Sequence, residues 1–161
     1  MSSCDATVVL AGFGSVDRHD DAIGPLVAAR CVERAPNVRL AGPLSDCFEL
    51  LGEWDGASLA VVVDAVRSGR RPGAIHVIDV DLDAADHGSD PLGLTSTHGL
   101  GLSGTLRLAR ELRQGPQRLV VVGVEGERFD YGEGLTTSVA GALPRAVEIV
   151  LSLITESASC A

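Results

Sequence analysis

The chain has 161 residues, 45% of them hydrophobic and 22% charged, with a net charge of -9, which suits one folded domain with its own core. The acidic balance and an aromatic content of only 3% argue against neutralising phosphates or stacking bases, so nucleic acid is not an expected partner. Apolar runs such as Leu59 to Val63 are too short for a bilayer, Met1 to Thr7 lacks signal-peptide character, and Cys4, Cys31, Cys47 and Cys160 form no C-x-x-C pair, so a cytoplasmic protein with reduced thiols and no membrane contact is expected.

Thr7 to Ala11, Leu59 to Val63 and Arg118 to Val124 have strand length and β-branched composition. Their near-continuous apolar character predicts a mainly parallel sheet covered on both faces. Val38 to Leu40 and Ala74 to Val80 are weaker strands, and the short Ser68 to Gly73 turn before the second predicts an antiparallel edge. Helical spacing links Ile23, Val27 and Cys31, then Leu102, Leu106 and Arg110, then Val139, Leu143, Val147, Val150 and Ile154. Pro144 predicts a kink in the last helix or a separate first turn near Thr137. Asp81 to Asp90 reads as a polar loop, and residues 1–6 and 157–161 as flexible ends of a single domain. The expected architecture is α/β: a three-layer sandwich with a twisted sheet of about five strands.

The turn Gly12-Phe13-Gly14-Ser15 after the first strand is a poor dinucleotide fingerprint, because the third glycine position holds Asp17. Asp20 and Asp21 precede a helix, where one of them is expected to cap its N-terminus. Asp64 ends an apolar strand, at the carboxyl edge where open α/β sheets bind ligands. His98 precedes a helical pattern. Taken singly, each has an ordinary structural explanation as a cap, a turn residue or a surface histidine. Together, Asp21, Asp64 and His98 would form an incomplete oxygen and nitrogen shell that suits a borderline divalent ion such as nickel or zinc. Cys47 is the one candidate nucleophile worth weighing, although nothing local supplies a base. Ser15, Ser96 and Ser103 sit in no nucleophile turn, and Glu49 is expected on a helix surface.

At these residues the sequence resembles the hydrogenase maturation endopeptidases, which process nickel-iron hydrogenase large subunits. The likeness runs through Leu10-Ala11-Gly12-Phe13-Gly14, Asp20-Asp21-Ala22-Ile23-Gly24, Val62-Val63-Asp64-Ala65, Pro72-Gly73, Ser96-Thr97-His98-Gly99-Leu100, Val122-Gly123-Val124-Glu125 and Gly134-Leu135-Thr136. The resemblance implies a mainly parallel sheet between helices, with Asp21, Asp64 and His98 as both metal-contacting and catalytic residues. It also implies nickel carried by the substrate, a large-subunit precursor as partner, and removal of a C-terminal extension. Other divalent ions would fit the same shell, and a metal-checking chaperone that binds the precursor without cutting it would use the same three residues. Ser15 stands where the family usually has Asn, and Gly42 to Cys47 replaces a loop of small residues.

Overall fold

The computed structural model describes residues 7–42, 44, 46–83, 95–96 and 99–159. The strands are β1 (Val8–Gly12), β2 (Arg39–Ala41), β3 (Leu59–Arg67), β4 (Ile75–Val80), β5 (Thr95–Ser96) and β6 (Leu119–Glu125). The α-helices are α1 (Ile23–Arg34), α2 (Leu50–Trp54), α3 (Gly99–Leu112) and α4 (Thr137–Ser159), with short 3-10 turns at His19–Ala22 and Cys47–Glu49. The sheet order is β2-β1-β3-β6-β4, and the two-residue β5 adds to β3. β2, β1, β3 and β6 are parallel neighbours, whereas β4 joins β6 antiparallel, as the short Ser68 to Gly73 turn predicts.

Strand alternation divides the core into two layers. Leu59, Val61, Val63 and Ala65 of β3 pack with buried residues of α1 and α4. Ala60, Val62 and Val66 face the opposite way, towards Leu50 and Trp54 of α2 and Leu102 and Leu106 of α3. Asp64 shares the parity of this second set.

Helix α4 runs as one α-helix from Thr137 to Ser159, so of the two readings of Pro144 the separate first turn is not found. The stripe Val139, Leu143, Ala146, Val147, Val150 and Ile154 is buried on both sides of the proline. Helix α4 also has the length and apolarity of a membrane span, against the expectation from short apolar runs, but that stripe faces the sheet core. Strand β3 continues past Asp64 to Arg67, so Asp64 lies inside the strand rather than at its end.

The chain leaves β1 for β2 on one side and later returns to β3 on the other. The carboxyl ends of β1 and β3 therefore flank a topological switch point, the usual ligand crevice of an open α/β sheet. Close packing there depends on Gly24, where a Cβ would overlap the Phe13 carbonyl oxygen and come within 2.7 Å of the Val63 carbonyl oxygen. Gly24→Ala should lose about 1–3 kcal/mol by overpacking. Gly52→Ala, in an α2 position with nothing near the added Cβ, should gain about 0.5–1 kcal/mol. Urea denaturation of both variants measures the contrast.

Candidate active site

The β1 exit folds back on itself. Phe13 N donates to Val63 O (2.9 Å), and the left-handed His19 (φ 47°) begins the turn that carries Asp20 and Asp21. A non-glycine residue in that conformation is uncommon and must be held by its surroundings. His19 is held by its backbone N donating to Gly132 O (2.9 Å) and by Nδ1 lying 3.0 Å from Gly134 O.

Neither aspartate caps α1, which corrects the N-cap expectation. Asp20 is fully buried and turns into the loop between β6 and α4. Its Oδ2 accepts from Glu127 N and Arg128 N, both at 2.9 Å, and its Oδ1 accepts from Thr136 N at 2.7 Å. The Thr136 hydroxyl donates to the same carboxylate. Asp20 N also donates to Arg128 O, and Arg18 Nε to Phe129 O. A single carboxylate thus gathers backbone donors from both ends of a loop that has no regular structure of its own.

Asp21 turns the other way. It is 4% exposed, and its Oδ2 accepts from Ser15 N at 2.8 Å. Gly14 (φ 128°) permits this approach, because a Cβ there would overlap the Asp21 carbonyl oxygen. Asp64 is 5% exposed and is the first residue of β3 beyond its pairing with β1, which ends at Gly12 with Val63. The turn His19–Ala22 packs against β3, and the Val63 carbonyl touches both Phe13 N and the site of Gly24. Two buried carboxylates therefore flank the switch point from the β1 exit and from β3. His98 lies outside the described residues. Among the described residues no three His, Cys, Asp or Glu side chains stand together as a metal shell.

Cys47 is buried beside this site, its thiol pushed up to about 12 by burial first and then by the negative charges of Asp64 and Asp46. It is protonated at neutral pH, the opposite of an activated nucleophile. Cys31, pushed up to about 11 mainly by burial, is inert for the same reason. Asp46 caps the turn Cys47–Glu49: its Oδ1 accepts from Phe48 N (2.8 Å), while Glu49 Oε1 accepts from Asp46 N (3.1 Å). Glu49 is thus a capping residue, and the Asp46-x-x-Glu49 spacing is a signal from which that could have been read.

A family model described as hydrogenase maturation protease matches residues 33–153. The chain belongs to the hydrogenase maturation protease family. Over 149 residues it is 30% identical to the hydrogenase expression/formation protein HoxM of Cupriavidus necator, covering 88% of this chain and 70% of that protein. It is 28% identical over 155 residues to the hydrogenase 2 maturation protease of Escherichia coli, covering 93% and 92% of the two chains. Among solved structures, the maturating endopeptidase HybD of E. coli superposes with a TM-score of 0.78 at 25% identity, covering 94% of this chain and 93% of that one. The maturation protease HybD of Thermococcus kodakarensis gives 0.74 at 21% identity, a likeness of fold, with 91% and 98% covered. The chain is accordingly a peptidase of hydrogenase maturation, with the mixed, mostly parallel sheet of that fold.

Two outcomes test this geometry. Asp20→Asn keeps the shape but turns an amide NH2 towards backbone donors, and it should cost about 3 kcal/mol, as loss of a buried charged acceptor does. The expectation from sequence, a mild loss of helix stability, would be met only if the melting temperature barely moved. Iodoacetamide at pH 8 should leave Cys47 of the folded protein unmodified by intact mass, and label it after denaturation.

Proposed function

We propose that this chain is the endopeptidase that removes the C-terminal extension of a nickel-iron hydrogenase large-subunit precursor after nickel has been inserted. The observation that carries the reading is the pair of buried carboxylates, Asp21 and Asp64, at the switch point of a sheet with the maturation-protease fold. His98 completes the set. His98 follows Ser96, which pairs with Val66, by two residues in the sequence.

Two carboxylates and an imidazole make an open oxygen and nitrogen shell for a borderline divalent ion. The nickel arrives as part of the substrate. Docking it on Asp21, Asp64 and His98 lays the C-terminal segment across the mouth of the crevice, which makes cleavage conditional on metallation. In the hydrolysis a water oxygen bonds to the scissile carbonyl carbon while a carboxylate takes the water's proton. That proton passes to the amide nitrogen as the C–N bond breaks. The precursor meets the enzyme in the cytoplasm, and other divalent ions compete for the shell. The Gly42 to Cys47 segment selects among precursors, a role supported by the proximity of Cys47 to the charge of Asp64.

Wild-type protein incubated with nickel-loaded precursor should shorten it permanently, as read by intact mass, and leave metal-free precursor whole. Asp21→Asn, Asp64→Asn and His98→Ala should each slow processing by ~100-fold or more, since a displacement of ~1 Å at a reacting centre costs that much. Double variants should be hardly worse than singles, because residues acting as a unit are not additive. A wild-type protein that retards the precursor's migration without shortening it would instead be a metal-checking chaperone. Normal processing by His98→Ala would remove His98 from the site.

A further inference from the structure

The loop that joins β3 to β4 passes the end of β6, which lies between them, and is built more firmly than a connection requires. Glu125, at the end of β6, is 2% exposed and aims its carboxylate at the loop. Oε1 accepts from Ser68 N (2.7 Å) and Gly69 N (3.1 Å), while Oε2 accepts from Ser68 Oγ (2.7 Å) and lies 3.3 Å from His76 Nε2. Burial works to raise the pKa of this carboxyl, but the donors of Ser68, His76 and Gly69 outweigh it and hold the group below the usual carboxylate range. The backbone adds Gly73 N to Glu125 O and Glu125 N to Ala74 O, both at 2.8 Å. Gly73 (φ 83°) rests on the start of α4, where a Cβ would come within 2.6 Å of the Ser138 carbonyl oxygen.

This locked loop presents arginines. All 13 basic residues of the chain are arginine, and the stretch from 65 to 78 carries Arg67, Arg70 and Arg71 but no acid, in a protein of net charge -9. All three are exposed. Among the described residues no carboxylate pairs with them, whereas Arg34, Arg118 and Arg128 each have one. Arg67 is further oriented by stacking 4.4 Å from the centroid of Phe129, whose carbonyl holds Arg18. Arg67 follows Asp64 by three residues on the same strand, ~10 Å along it and on the opposite face, so the loop leaves the same carboxyl edge of the sheet that carries Asp64.

We propose that the Arg67, Arg70 and Arg71 loop is the docking surface for an acidic segment of the protein substrate. This rests on the reading of the substrate as a large-subunit precursor. Guanidinium groups bind carboxylates in a planar, two-pronged geometry, and a surface already rigid gives up little conformational freedom on binding. In a chain of net charge -9, three neighbouring exposed arginines with no acid between residues 65 and 78 make a local basic patch that complements an acidic partner.

The test measures the binding and cleavage of nickel-loaded precursor by the full chain. Arg70→Glu/Arg71→Glu should weaken Kd and raise KM at least tenfold with a much smaller fall in kcat, and should flatten the salt dependence of association. Arg70→Gln/Arg71→Gln, which removes charge without reversing it, should lose less and guards against misfolding, checked by thermal melts. Arg30→Glu/Arg145→Glu, on α1 and α4, should bind within twofold of wild type. If the wild type binds and cuts while both loop variants match it within twofold, the docking surface is refuted and the function stands. If the wild type neither binds nor shortens the precursor, the functional reading falls and the docking surface with it.

Discussion

The buried carboxylate of Asp20 is the contact on which the arrangement at the carboxyl edge depends. Taking a carboxylate out of water is costly unless its oxygens are fully engaged, and here three backbone N–H groups and a hydroxyl engage them. These donors lie more than a hundred residues further along the chain, at Glu127, Arg128 and Thr136. One interaction therefore joins the exit of β1 to the loop leading into α4, and fixes the strained turn at His19 from which Asp21 projects. The geometry of Asp21 is thereby a property of the assembled edge rather than of its own turn.

The same economy appears at Glu125, where a second buried carboxylate organises a second connection. Asp20 and Glu125 lie among the few buried charged side chains of a core that is otherwise apolar, and each shapes a loop beside the switch point. Asp21 and Asp64 are buried too, at the exit of β1 and on β3. Cys47 is suppressed rather than activated, by its burial first and then by the negative charge of Asp64 and Asp46, which disfavours thiol chemistry there.

The sheet supplies the rigid frame of this edge. Asp64 and Arg67 lie on one strand, and Val66 between them pairs with Ser96 of β5, so a displacement of β3 would move both side chains together.

Much of this molecule was legible from its sequence. The apolar runs at Leu59 to Val63 and Arg118 to Val124 specify buried parallel strands because only a sheet covered on both faces tolerates such continuity. The Ser68 to Gly73 turn specifies an antiparallel edge by its shortness, and the ordered motifs around Asp21, Asp64 and His98 carry the family. Pro144 left a separate first turn open, and the buried stripe on both of its sides, which only the packed helix reveals, belongs instead to one helix from Thr137. The role of Asp20 could not be read at all. Its partners are backbone N–H groups, which every residue but proline carries, and they come from positions remote in sequence, so no local pattern marks them. The sequence by itself determined the order of elements and the chemistry available at the crevice. Tertiary structure alone decided which of two adjacent aspartates would hold the loop into α4 and which would turn to Ser15 beside β1, because that choice depends on donors brought together only by the closed sheet.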